Sequence, residues 1–116
     1  MSVPFESTKV HVTRLDQVVC VALRGELDFE DAEDVQAAWS AADGAGLPTT
    51  AVDLSQVVFA DSMLLNALLD ARRRHDATGR AFVLLGPLNA SVSRLLEVTG
   101  TLEHFTVQNA LPGKIS

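Results

Sequence analysis

The sequence predicts an α/β domain, built as a mixed β-sheet that opens with an antiparallel hairpin and is packed with about three helices. Three observations predict it. Short apolar runs bounded by turn residues alternate with stretches whose apolar residues recur at helical spacing. The first two strand-like segments are joined only by Asp16-Gln17, a connection suited to a hairpin. After that hairpin each strand leads into a helix, and right-handed crossovers make the later strands parallel. The length of 116 residues suits one domain with one modest core, so residues 1–116 are read as a single domain. Its core is expected over about 8–108, with 109–116 as a disordered tail.

Thr8 to Arg14 alternates polar and apolar residues, with Val10 and Val12 on one face, and reads as the first strand. Val18 to Leu23 is apolar nearly throughout, which predicts an interior strand covered on both faces. Gly25-Glu26-Leu27-Asp28 is expected to break it, and Asp28 to cap a helix whose first turn carries Glu30, Asp31, Glu33 and Asp34. Ala32, Val35, Trp39 and Ala42 mark that helix's buried stripe; Gly44, Gly46 and Pro48 end it. Ala51 to Leu54 is a short strand, followed by a loop to Ser62. A second helix then runs to about Thr78, with Leu64, Leu65, Leu68 and Leu69 among its apolar residues and Gly79 closing it. Ala81 to Leu85 is the next strand, ended by Gly86-Pro87. Asn89 or Ser91 caps a third helix carrying Val92, Leu95, Leu96 and Thr99, with Gly100 as its stop. Phe105 to Gln108 supplies one short final strand.

Composition narrows the function. The chain is 47% hydrophobic and 21% charged, the balance of a folded domain. Nine Lys and Arg stand against fifteen Asp and Glu, a net charge of −6, and no basic cluster interleaves with aromatics. Nucleic acid is therefore excluded as the expected partner, because its affinity rests on neutralising phosphates. The run Arg72-Arg73-Arg74 falls in the last turns of the second helix and reads as a solvated end that suits the dipole. Cys20, the only cysteine, sits in an apolar run and reads as a buried structural thiol. The first residues carry neither a basic nor an apolar leader region, and no apolar run approaches the ~20 residues that span a bilayer. The expected location is the cytoplasm, with no direct membrane insertion.

Ser62 is the most informative residue. It stands at the start of the second helix, where the first backbone N–H groups lack internal partners and carry the positive end of the macrodipole. A serine there serves as an N-cap, contributing about 1 kcal/mol, or accepts a phosphoryl group that brings about −1.5 to −2 charges next to Asp61. The residues alone leave both readings open. Other chemistries fit poorly. A hydrolase triad of Ser62, Asp61 and His75 or His104 lacks the Gly-x-Ser-x-Gly elbow, and His75 lies several helical turns away. A calcium loop starting at Asp28 would need glycine at its sixth position and glutamate at its twelfth, where Glu33 and Trp39 stand. Asp53 as the phosphoacceptor of a receiver domain would need an acidic pair after the first strand, where the chain reads Thr13-Arg14-Leu15-Asp16. Trp39 and the methionines read as core or rim residues.

Asp53-Leu54-Ser55 followed by Asp61-Ser62, with Gly25-Glu26-Leu27-Asp28 upstream and Thr99-Gly100 downstream, resembles the STAS domain of sulfate transporters and anti-sigma factor antagonists. The resemblance runs from about Thr8 to Gln108. It implies a STAS-like fold and the role of a single-domain bacterial anti-sigma factor antagonist, an anti-anti-sigma factor. Ser62 then matches the family's regulatory phosphoacceptor. What the resemblance implies is a partner switch. Unphosphorylated antagonist binds an anti-sigma factor that is itself a serine kinase, phosphorylation dissolves the complex, and a serine phosphatase resets it. Asp61 would shape the local field, Met63 and Asn66 would meet the partner, and Asp28, Asp53 and Ser55 would line the neighbouring loop ends. No cofactor or metal is implied, and the chain would be a kinase substrate and not an enzyme. The family motif usually continues Asp-Ser-(Ser or Thr)-Gly-Leu, whereas Met63 and Leu64 follow here. That departure favours a first alternative, a constitutive STAS scaffold or transporter-associated module without a phospho-switch. A second alternative is a small-molecule or nucleotide sensor, since ligands favour loops at strand ends in α/β folds.

Overall fold

A computed structural model describes residues 5–109. The order of elements is β1 (Phe5–Glu6), β2 (Val10–Leu15), β3 (Val18–Leu27), α1 (Ala32–Ala45), β4 (Thr49–Ala60), α2 (Ser62–Ala77), β5 (Ala81–Leu85), α3 (Ala90–Val98) and β6 (Thr106–Gln108). Single 3-10 turns precede α1 (Phe29–Asp31) and β6 (Leu102–His104). The strands form one six-stranded sheet in chain order. β1, β2 and β3 pair antiparallel, and β3, β4, β5 and β6 run parallel. Because the parallel strands progress in one direction, right-handed crossovers carry all three helices over the same face. There Val19, Val21 and Leu23 of β3, Val52 and Leu54 of β4, and Leu84 of β5 meet Val35, Trp39, Leu64, Leu68, Val92 and Leu96.

The mixed sheet, its opening hairpin and the three helices match the fold class read from the sequence. Three details differ. β1 is too short for alternation to reveal it. β3 lies inside the sheet, but only its helix-side residues are fully covered, since Cys20 and Ala22 on the other face are half-buried. Cys20 is therefore not the fully buried thiol expected, although burial, and after it the Asp53 carboxylate, push its pKa up to about 11. Third, neither β3 nor β4 stops where the sequence suggests. Gly25 takes a left-handed φ of 82° and lets β3 pass through register irregularities instead of ending. β4 continues beyond Leu54 because Gln56, Val57 and Phe59 keep pairing with β3, up to Leu27 opposite Ala60, with Val58 passed over at a register shift. The tail expected over 109–116 lies outside the described residues, apart from Asn109.

Caps fix the helix ends. α1 ends on Gly46 at φ 64°. Asn89 caps α3, its side chain accepting from the Ser91 N–H at 2.8 Å, which decides between the two candidates. Trp39 lies in the core, where its indole N–H donates to the Ala67 carbonyl at 3.1 Å and ties α1 to α2. Of the arginine run, Arg72 and Arg73 pair loosely along α2 with Asp76 and Asp70. Arg74 departs from the solvated reading. It bridges Asp70 at 2.7 Å and Asp43 of α1 at 3.3 Å, and Arg80 reaches the same Asp43 at 2.8 Å. These cations sit at the C-terminal ends of both helices, where the dipole favours them.

His75 joins α2 to the sheet. It is 2% exposed; its Nδ1 lies 2.7 Å from the Ala71 carbonyl and its Nε2 2.7 Å from Thr50 Oγ1. A carbonyl only accepts, so Nδ1–H donates and Nε2 accepts from the threonine hydroxyl. Burial holds the imidazole pKa below its ordinary value; the Ala71 hydrogen bond opposes the shift, and Arg80 and Arg74 add to it. With the folded-state pKa depressed, the unfolded chain binds the proton more readily. The His75 contribution is present above the unfolded pKa of about 6.5 and is lost as pH falls below it, at no more than about 1.4 kcal/mol per pH unit. In urea unfolding between pH 7 and 5, His75→Gln should show a shallower decline than wild type. Parallel curves would remove histidine from the acid response.

Candidate functional site

The C-terminal ends of the parallel strands gather the candidate residues. β4 delivers Ala60 beside Leu27 of β3, and Asp61 then starts α2. Asp61 is the N-cap. Its backbone is extended at φ −108°, ψ −172°, its carboxylate accepts from the Met63 N–H at 2.9 Å, and its carbonyl accepts from Leu64 N–H at 3.1 Å. The cap therefore belongs to Asp61 and not to Ser62, because the aspartate precedes the first helical residue and its side chain reaches the open donor first. Ser62 is that first helical residue and is exposed, with its hydroxyl outside the cap.

Along α2 the faces separate as the spacing predicts. Ser62, Asn66 and Arg73 are exposed, Leu64, Leu65 and Leu68 are buried, and Met63 is half-buried against the core. Asp28 stands at the neighbouring strand end, where its side chain accepts from Glu30 N–H at 2.9 Å and the Asp31 carboxylate takes the Asp28 N–H at 3.0 Å. This capping box fixes the 3-10 turn rather than the first turn of α1 itself. Asp53 and Ser55 are not on a loop. They lie inside β4, where Asp53 Oδ1 accepts from Ser55 N–H at 2.9 Å and Ser55 Oγ at 2.7 Å; Asp53 is in register with Ala22 and Leu85. The reason is the extension of β4 to Ala60, which leaves these two residues in mid-strand.

The structure adds residues that sequence reading missed. Phe29, Val58 and Phe59 are exposed at 75%, 51% and 49%, and all three lie at this same end of the sheet. A phenylalanine directly after the Asp28 cap, and two apolar residues directly before the Asp61 cap, were the available signal. Among the described residues no three His, Cys, Asp or Glu side chains converge as metal ligands would, and no helix is long and apolar enough to cross a membrane.

A family model described as "Mlab, STAS domain" matches residues 10–107. The chain belongs to the STAS family. Its fold is similar to that of an anti-sigma factor antagonist from Mycobacterium paratuberculosis, at 26% identity and a TM-score of 0.74 over 89% of this chain and 86% of that one. A putative anti-sigma factor antagonist from Thermotoga maritima superposes at a TM-score of 0.76, with 23% identity and 86% of each chain covered. The antagonist SpoIIAA in its unphosphorylated form does so at 0.73, with 21% identity and 89% of each chain covered. The comparison with curated proteins gives no match. In this STAS domain the departure at Met63 and Leu64 acquires a physical meaning. Leu64 is 1% exposed and fills the core beneath the helix start, so that substitution faces inward. Only Met63 alters the surface beside Ser62.

Proposed function

We propose that this STAS domain is a cytoplasmic anti-sigma factor antagonist that binds an anti-sigma factor with serine kinase activity when Ser62 is unphosphorylated. The observation that carries the reading is the exposed Ser62 at the first position of α2, on the rim where β3 and β4 end, in a fold shared with such antagonists. SpoIIAA, one of the similar structures, is also known in a phosphorylated form. The electrostatics agree. Asp61 already caps the helix start through the Met63 N–H, so a phosphoryl group on Ser62 would meet a carboxylate and would add like charge at the centre of the rim. The domain works by binding, serves as the kinase's substrate, and is reset by a serine phosphatase.

The test is to purify each anti-sigma factor kinase encoded in the same genome and titrate it calorimetrically with the unphosphorylated chain. Phosphate incorporation is then mapped by mass spectrometry. One kinase should bind and should modify Ser62. Binding without modification would favour the constitutive scaffold, to which the departure from the family motif at Met63 and Leu64 lends support. Asn66, one turn along the same face, belongs to the proposed interface. Asn66→Arg should weaken the complex at least tenfold and leave the melting temperature within a few degrees of wild type. Unchanged affinity would take this face out of the interface.

A further inference from the structure

We propose that Phe29, Val58 and Phe59 form the apolar anchor of the partner interface, and that they take a partner surface with an apolar hollow rimmed by lysine or arginine. The inference rests on the binding role above and names the chemistry of what is bound. The β3–β4 register sets Phe59 opposite Glu26, three residues before Phe29, with Val58 at the adjoining register irregularity. Two exposed phenylalanines and a valine at one end of the sheet are more than the isolated apolar residues that any surface carries. Aromatic side chains are the usual energetic centres of interfaces.

The turn that presents Phe29 is held from three sides. Lys9 Nζ donates to the Glu26 carbonyl at 2.6 Å and to Asp31 Oδ2 at 3.1 Å, and Asp31 Oδ2 also accepts from Asp28 N–H at 3.0 Å. Asp28 in turn caps the turn through Glu30 N–H. An exposed aromatic on a fixed turn is preorganised, so less ordering is lost when it is covered. Charge selects the partner. Around Phe29, Glu26 and Glu30 are exposed and Asp28 is partly so, while the neighbouring cations are engaged, Lys9 with Asp31 and Arg24 with the Thr8 carbonyl. An acidic rim around an apolar centre is complementary to a basic rim around a hollow and repels an acidic one.

The experiment places the photo-cross-linking residue p-benzoylphenylalanine at position 29, at 59 and, as a control, at 98, where Val98 is exposed on the outer side of α3. Irradiation in the native host is followed by sequencing of the cross-linked peptides. Positions 29 and 59 should capture the same protein, through peptides that combine apolar residues with Lys or Arg, and position 98 should not. With that protein purified, Phe29→Ala and Phe59→Ala should each lower affinity at least tenfold without lowering the melting temperature. Absence of adducts at 29 and 59, an acidic cross-linked peptide, the same adduct at 98, or affinity within twofold of wild type would each overturn the anchor. If the captured protein is not an anti-sigma factor, the functional reading fails while the anchor stands. If a kinase binds the wild type and leaves 29 and 59 unlinked, the anchor fails while the function stands.

Discussion

Leu64→Gly is expected to remove about 3–6 kcal/mol of stability, a large share of the 5–15 kcal/mol that holds a typical domain together. Leu64 is 1% exposed and belongs to the cluster that joins β3, β4, α1 and α2. Deleting a buried leucine down to its Cβ costs roughly 2–5 kcal/mol, the loss of transfer energy adding to the cavity left behind. Glycine adds up to about 1 kcal/mol relative to alanine in a helix, less so near its first turn. Met63→Ser, beside it, should cost much less, because Met63 is half-buried and lies over the core's margin. Urea unfolding of the two single variants measures both. A Leu64→Gly cost under 1 kcal/mol would mean that the start of α2 is rotated away from the sheet. The result also bears on the family motif. Restoring serine and glycine after Ser62 cannot test phosphorylation cleanly, because the glycine disturbs the fold that presents the serine.

The legible parts of this chain were those written in local pattern. The leucine spacing from Leu64 to Leu69 set the inward face of α2, and Gly46, Gly79 and Gly100 stand at helix ends with left-handed backbones. The opening hairpin was legible because Asp16-Gln17 is too short to allow anything else, and Asp16 takes a φ of 55° there. What escaped depends on partners far away in sequence. Gly25 looks like a break but sits in a paired strand, because β4 supplies Val57 opposite it. The same long-range pairing moved Asp53 from an expected strand end, and Ser55 from an expected loop, into mid-strand. Ser62 stands at the helix start that the spacing predicts, but the capping role open to it is taken by Asp61. Asp61 and Ser62 are both good capping types, and only the extended backbone of Asp61 decides between them. The exposed phenylalanines escaped for a different reason. Apolar residues beside a cap read as core until the fold shows how much of them is exposed.

Ser62→Glu and Ser62→Ala should diverge in binding and agree in fold. Both side chains fit an exposed first helical position, and a carboxylate there meets the positive end of the α2 macrodipole, so neither should shift the melting temperature by more than a few degrees. Alanine removes the phosphoacceptor and leaves the surface neutral. The kinase complex should persist within a few-fold of wild type, and phosphate incorporation should vanish. Glutamate places a charge between Asp61 and the partner, and like-charge juxtaposition at an interface costs several kcal/mol, so affinity should fall by a factor of ten to several hundred. Part of that loss is coulombic. The screening length shrinks from about 10 Å at 0.1 M salt to about 3 Å at 1 M, so the glutamate defect should narrow as salt rises, while a steric share persists. The phosphorylated wild type, with its larger charge, should bind more weakly than the glutamate variant. Titration of the four forms at two salt concentrations measures all of this. Equal affinity for alanine, glutamate and phosphorylated forms would refute the switch and leave a constitutive scaffold, held by the same face of α2, as the better account.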